Sequence, residues 1–324
     1  TMLDCAGPHD NRVRGMLNHH GTGPGRWTAS LVQFQNMKRP TVKHTEDAYR
    51  EIQAGINREW LEVSYGPVLE VLSSCIRHFV HDVDEIAGEE NPMFDADYSA
   101  IQARVICWLA GQEDALVEYR LQDAAITAEE KIMRDRYRLM ASIIYKLPVE
   151  RTEKHPHRFI GKQTVLGCGF GMGKDKFRGT CEKMGYKNMP PGLEEIAVDA
   201  FRQKHGRIVA FWRELEKAAM QAIINKGEVF QAGKFIRFQT RNIEGIEFLL
   251  CRLPSGRKIA YPRPRLVPHK KFEGKKAIQY FANIKGVVWG HVDTWGGTLA
   301  ENVTMGVEAD IMFHGLHKIG RAHV

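Results

Sequence analysis

Apolar residues return every third or fourth position over most of this chain, and short β-like runs replace that period in one region. Ala48, Ile52, Ile56 and Trp60 recur every four residues, and Val68, Leu69, Leu72 and Cys75 keep a helical spacing, so 46–90 is predicted to be helical. Met93-Phe94-Asp95-Ala96 is short and partly apolar and predicts a buried strand running up to Asp97. Ile101, Val105, Trp108 and Leu109 then fall on one helical face, with Ser99 available as a cap. A charged helical region over 112–158 follows: Glu129, Glu130, Lys131, Arg134, Asp135, Arg136 and Arg138 are polar, while Leu139, Met140, Ile143 and Ile144 form its buried side. Over 193–230 the apolar set Phe201, Ile208, Phe211, Trp212, Leu215, Ala219 and Ile223 again predicts helices.

The period shortens between 230 and 290. Phe235–Phe238, Phe248–Leu253 and Lys258–Tyr261 read as strands, broken by turn residues at Pro254–Gly256 and Pro262–Pro264. A last helix is predicted over 297–316. There is no internal repeat. The succession of helices around a β-rich stretch predicts an α+β fold.

Composition narrows the class. The 324 residues are 43% hydrophobic and 26% charged, as in ordinary folded domains, and are enough for one large domain or two. No apolar run approaches the roughly 18 residues of a membrane span, and the opening Thr1–Cys5 lacks the pattern of a signal peptide, so no membrane partner is expected. The six cysteines are scattered without a Cys-x-x-Cys pair, which argues against a zinc ribbon or disulfide framework and for a reducing compartment. A net charge of +7 favours a polyanionic partner. Arg12, Arg14, Arg26, Lys38 and Arg39 are interleaved with Trp27, Gln33, Phe34, Gln35 and Asn36 in the first 45 residues, which suits contacts to a nucleic-acid backbone as well as it suits a solvated loop. The same two readings apply to the exposed cluster Arg263, Arg265, His269, Lys270 and Lys271.

Three places carry candidate chemistry. Asp97 lies where a strand gives way to a helix, a rigid position for a metal-binding carboxylate and equally one for a helix cap. Arg158, Lys162 and Leu166 are spaced by four, so two cations share a helical face fit to grip a triphosphate. The glycines that follow do not make a P-loop, because Asp175 succeeds Lys174, and no register of them satisfies a dinucleotide fingerprint. His78, His81, Asp82, Asp84 and Glu85 do not share one helical spacing and are weak metal candidates.

Together these stretches resemble, in order and separation, the motifs of the family A DNA polymerases, the bacterial pol I and phage replicative type. Asp97-Tyr-Ser-Ala-Ile-Gln-Ala-Arg104 is similar to motif A, and Arg158-x-x-x-Lys162-x-x-x-Leu166-Gly-x-x-Phe170-Gly to the motif B fingers helix. Gly25-Arg26 with Gln33-Phe-Gln35-Asn36 resembles the family's primer–template stretch, and Trp295-Gly-Gly-Thr-Leu-Ala-Glu301-Asn302 the Tyr-Gly-Gly-x-Leu-x-Glu-Asn helix of phage members. The resemblance covers about 11–318.

The resemblance implies a right-hand palm with mostly helical fingers, truncated at both ends: palm over 1–111, fingers with a β-rich insertion over 112–285, and a palm helix over 286–318. It implies two Mg²⁺ ions, with Mn²⁺ as a substitute, held by Asp97 and the carbonyl of Tyr98. Arg158 and Lys162 would bind dNTP phosphates, with Lys162 a proton donor to pyrophosphate, and Tyr98, Gln102, Leu166 and Phe170 would complete the dNTP site. Arg26, Gln33, Gln35, Asn36, Arg104 and Asn302 would face primer–template DNA. Processivity or replisome factors are implied partners, and a phage-encoded enzyme would work in the host-cell cytoplasm.

Several departures bear on function. Gln102 stands where the family has a Glu that excludes the ribose 2′-OH, Leu166 replaces an aromatic residue, Phe170 replaces Tyr, and Met305 replaces a Gln. Motif C, the source of the second metal-binding aspartate, is expected after Leu316 and is not in the chain, and residues 319–324 read as a frame of a sequencing adapter. The chain is thus expected to be an incomplete, inactive fragment of a DNA-directed DNA polymerase. A single-subunit RNA polymerase and a non-catalytic nucleic-acid-binding module are the alternatives.

Overall fold

In a computed structural model the described residues are 7, 13–33, 36–80, 82–83, 90–91, 97–270, 272–284 and 287–321. They divide into two units, one formed by 1–19 with 27–98 and the other by 20–26 with 99–324. The fold is α+β, as the patterning predicted. No described helix is long and apolar enough to cross a membrane.

The first unit pairs two short strands, β1 (Leu17–Asn18) and β2 (Thr28–Ala29), and packs three helices, α1 (Thr45–Gln53), α2 (Arg58–Tyr65) and α3 (Val68–Cys75). A second pair of short antiparallel strands, β3 (Asp82–Val83) and β4 (Glu90–Asn91), lies beyond them. Its small core is Ala48, Tyr49, Val71 and Cys75. The four-residue repeat from Ala48 to Trp60 is interrupted after α1 by Gly55, at φ 76°, and α2 restarts where the Asn57 side chain accepts the Trp60 backbone N–H. Ile56 and Trp60 are consequently exposed rather than on a common buried face. The predicted strand at Met93–Ala96 and the candidates His81, Asp84 and Glu85 lie outside the described residues, as do Arg12, Phe34, Gln35 and Lys271.

The second unit begins its helical layer with α4 (Ile101–Ala110), α5 (Glu113–Asp123), α6 (Ala128–Met133) and α7 (Arg136–Tyr145). Ser99 does not cap α4; the residue before the helix is Ala100, in the left-handed region at φ 51° with no side-chain cap. Val105 and Leu109 are buried as expected, but Trp108 keeps 40% of its surface and stacks on Phe235 with ring centroids 4.3 Å apart. Thr127 and Glu130 form a capping box at α6. Asp135 caps α7 by accepting the backbone N–H groups of Tyr137 and Arg138. Met140 and Ile144 are buried, whereas Ile143 remains exposed.

Next come α8 (Phe159–Cys168), α9 (Lys174–Lys183), α10 (Leu193–Lys204) and α11 (Gly206–Ile224). All seven apolar residues predicted for this region, Phe201 through Ile223, are buried. The antiparallel sheet β5 (Val229–Ala232), β6 (Ile236–Ile243), β7 (Ile246–Arg252) and β8 (Lys258–Pro262) packs on α11. Ile236, Phe238 and Thr240 are buried, while Arg237 and Arg241 on the opposite face are exposed and Gln239 is half-buried, the period-two alternation of a one-sided sheet. A separate three-stranded antiparallel sheet contains β9 (Arg265–Pro268), β10 (Lys276–Ile284) and β11 (Val288–Thr294), with β10 in the centre. The last helix, α12 (Gly296–Arg321), packs on α11 and α4 through Leu299, Ala300, Val303 and Val307. That contact sets the geometry of the site.

Candidate functional site

Asp97 and Tyr98 are in the first unit, in irregular chain, both exposed. Gln33 and Asn36 are also there and exposed, with Asn36 Nδ2 donating to Gln33 Oε1 at 2.6 Å; Gln35 is outside the described residues. Among the described residues no group of three His, Cys, Asp or Glu side chains is arranged to hold a metal ion. Asp97 is an accessible carboxylate, but the described side chains do not by themselves make a metal centre.

The second unit builds the cationic face. Arg158 has helical angles and leads into α8, so Arg158, Lys162 and Leu166 follow one another by single turns, as their spacing predicted. Lys162 is exposed and has no hydrogen bond or ion pair among the described residues. Arg158 is fixed: its Nε donates to Asp135 Oδ2 at 2.6 Å, and its guanidinium lies 5.0 Å from the Tyr137 ring centroid. Asp135 thereby caps α7 with one oxygen and anchors the arginine with the other. The guanidinium keeps its four Nη hydrogens for an anion.

The glycine-rich segment after α8 is seated on the start of α12. Trp212 Nε1 donates to the Gly169 carbonyl at 3.0 Å from within the core. Gly171, at φ 78°, lies against the Trp295 ring, and a Cβ at Gly297 would stand 2.5 Å from the Phe170 carbonyl oxygen. Both positions need glycine, one for its backbone angle and one for the close approach. Phe170, half-buried, is held at this junction.

The α4–α12 contact brings Gln102 and Glu308 together. The Glu308 side chain faces that of Gln102, its residue is only 8% exposed, and its Oε1 is buried with no hydrogen-bond partner among the described residues. Burial raises the Glu308 carboxyl to about pKa 7, against the opposing pull of the Arg26 charge and the Gln102 amide. Arg26 belongs to the short segment 20–26, which Arg257 ties to α12: Nη1 donates to the Pro24 carbonyl at 2.8 Å, Nη2 to the Gly306 carbonyl at 2.7 Å, and Nε to Asp310 at 2.6 Å.

Two other predicted residues are committed locally. Arg104 makes a bidentate pair with Asp123, both distances 2.7 Å, and lies over the Tyr119 ring. Asn302 Nδ2 donates to the Tyr261 hydroxyl at 3.2 Å. Sequence reasoning missed Asp135, Arg257 and Glu308. The signal for Glu308 was present: it is an acid one turn beyond Thr304 on the buried side of an otherwise small and apolar helix segment.

No protein-family model matches the chain. It is 35% identical over 318 residues to a DNA polymerase of Bacillus phage SP02. That similarity takes in 97% of this chain and 45% of the phage protein, so the chain spans a little under half the length of the curated relative it matches.

Proposed function

We propose that the chain is the palm-and-fingers part of a phage-type family A DNA polymerase, and that the longer enzyme transfers deoxynucleotidyl groups from dNTPs to a primer 3′-OH under direction of a DNA template. The observation that carries this reading is the similarity, over 97% of this chain, to part of a protein named a DNA polymerase. The palm would come from 1–111 and 286–318, and the fingers from 112–285.

In this reading Lys162, free at the surface of α8, binds the β- and γ-phosphates and passes a proton to the leaving pyrophosphate. Arg158 adds its Nη donors while Asp135 holds Nε, so the guanidinium is oriented before the nucleotide arrives. Phe170 offers a ring to the templating pair, and Gln102 borders the sugar. Arg26, Gln33, Gln35, Asn36, Arg104 and Asn302 contact the primer–template DNA. Asp97 and the Tyr98 carbonyl are this chain's share of a Mg²⁺ site whose remaining ligands lie outside the described residues. When bound, Mg²⁺ supplies charge neutralisation at the reacting phosphate.

Primer extension tests the proposal. The longer enzyme should extend a primer as the template dictates, and Asp97→Ala should abolish extension. The 324-residue chain alone should show little or no incorporation, and robust incorporation by pure chain would contradict the division of ligands proposed here. Gln102, neutral where the family has a carboxylate, keeps an RNA-polymerase reading open to test; preference for rNTPs over dNTPs by the longer enzyme would favour it.

A further inference from the structure

The sheet β9–β10–β11 has one face turned to the core and one turned outward. Ile278 and Thr294, a cross-strand pair, are almost fully buried on the inner face. Neighbouring positions must then point out, and the register puts Arg265 opposite Gln279, Gln279 opposite Asp293, and Phe281 opposite His291. Trp289, two residues before His291, belongs to the same face and is 60% exposed.

The outer face has two zones. At one end the rings form a stack: Phe281 and Trp289 are nearly parallel at 22°, with centroids 5.9 Å apart. The Arg263 guanidinium lies 4.9 Å from the Phe281 centroid, and His291 meets that ring edge-on. At the other end the polar groups are already ordered. Arg265 donates to Gln279 Oε1 at 2.8 and 3.0 Å, Gln279 Nε2 donates to Asp293 at 2.6 Å, and Lys270 Nζ donates to the second Asp293 oxygen at 2.7 Å. Among the described residues Asp293 is the one carboxylate in this network, so with Arg263, Arg265 and Lys270 the face carries an excess of positive charge.

We infer that this face is a binding site for single-stranded nucleic acid, with a base stacked on the open side of Trp289 and backbone phosphates on Arg263, Arg265 and Lys270. The two zones match the two chemistries of a single strand. A base adds a π-face to a stack that already runs from Arg263 through Phe281 to Trp289, and the phosphates answer the excess of fixed cations. A duplex hides its base faces and cannot use the ring. An apolar protein partner would cover three cations that have one carboxylate among them, which costs desolvation with no compensating charge. The site rests on the DNA-synthesis reading only for which strand fills it, the unpaired template.

The test is fluorescence-anisotropy titration of the 324-residue chain with a labelled dT20 strand, an abasic strand of equal length and a blunt duplex. Trp289→Ala should weaken dT20 binding about 5- to 150-fold, the span of one base–aromatic stack, and leave the abasic strand and the duplex within twofold. Trp289→Phe should restore most of the loss. Arg265→Gln should weaken both single strands alike and lower the salt dependence of binding. Equal dT20 affinity for wild type and Trp289→Ala, with unchanged circular dichroism, overturns the inference. So does a Trp289→Ala loss shared equally by the abasic strand. The two readings fail separately: single-strand binding that needs Trp289, in a longer enzyme that extends no primer, would leave the site standing and remove the polymerase. Primer extension with Trp289-independent binding would do the reverse.

Discussion

Glu308 offers a quantitative check on the packing of α12 against α4. A carboxyl raised from an ordinary 4.5 to about 7 binds more protons in the folded chain than in the unfolded one between those pH values. Its stabilisation is therefore fully present below pH 4.5 and is lost as the pH rises through 7. At about 1.4 kcal/mol per pKa unit, the loss reaches about 3 kcal/mol. His205 works in the opposite direction. Burial, with the nearby charges of Arg136 and Lys204, lowers its pKa from 6.5 to about 4, so it contributes stability above pH 6.5 that is lost as the pH falls toward 4. The two slopes offset one another in the wild type over most of pH 4.5–6.5. Glu308→Gln keeps the shape and the Gln102 contact but removes the titration. Urea unfolding at pH 5, 6, 7 and 8 should find the variant gaining on the wild type as the pH rises, by about 2.5 kcal/mol across the series, the remainder falling outside it. Arg26→Ala should move the wild-type transition to higher pH, because it removes the charge that favours ionised Glu308. A wild-type–variant gap that stays constant with pH would refute the buried, unpartnered setting of the Glu308 carboxyl.

Other outcomes follow from named contacts. Lys162→Ala should weaken dNTP binding by the longer enzyme about 10- to 150-fold, the worth of a charged hydrogen bond, without lowering the melting temperature, since Lys162 is exposed. Gly297→Ala sets a Cβ 2.5 Å from the Phe170 carbonyl and should cost about 1–3 kcal/mol in urea unfolding, with a change in the fluorescence of Trp295. His205→Gln should remove the acid-side loss of stability between pH 6.5 and 4, measured by the same unfolding series.

The sequence was most legible where local period and burial coincide. α11 is long, its apolar stripe is regular, and each residue assigned to that stripe is buried. The strands β6, β7 and β8 and the helix α12 were equally readable from alternation, turns and length. Ile56 and Trp60 were misplaced because Gly55 and the Asn57 cap reset the helix between two repeats of the same period, which periodicity alone does not register. The site divides in the same way. The shared face of Arg158, Lys162 and Leu166 is a local property and was read directly. Asp135 on Arg158, Arg257 on Pro24 and Glu308 on Gln102 join residues far apart in the chain, and no spacing rule connects them. Gln102 is the clearest case. Its identity marked it as a departure, yet only the fold revealed that a buried carboxyl faces it.

Template-directed primer extension by the longer enzyme, run with Asp97 intact and with Asp97→Ala, tests the central claim most directly. The account predicts dNMP addition in the order the template specifies, with the substitution reducing it to background. Extension at an unchanged rate in Asp97→Ala, or none by the intact longer enzyme with Mg²⁺ and all four dNTPs, would contradict it.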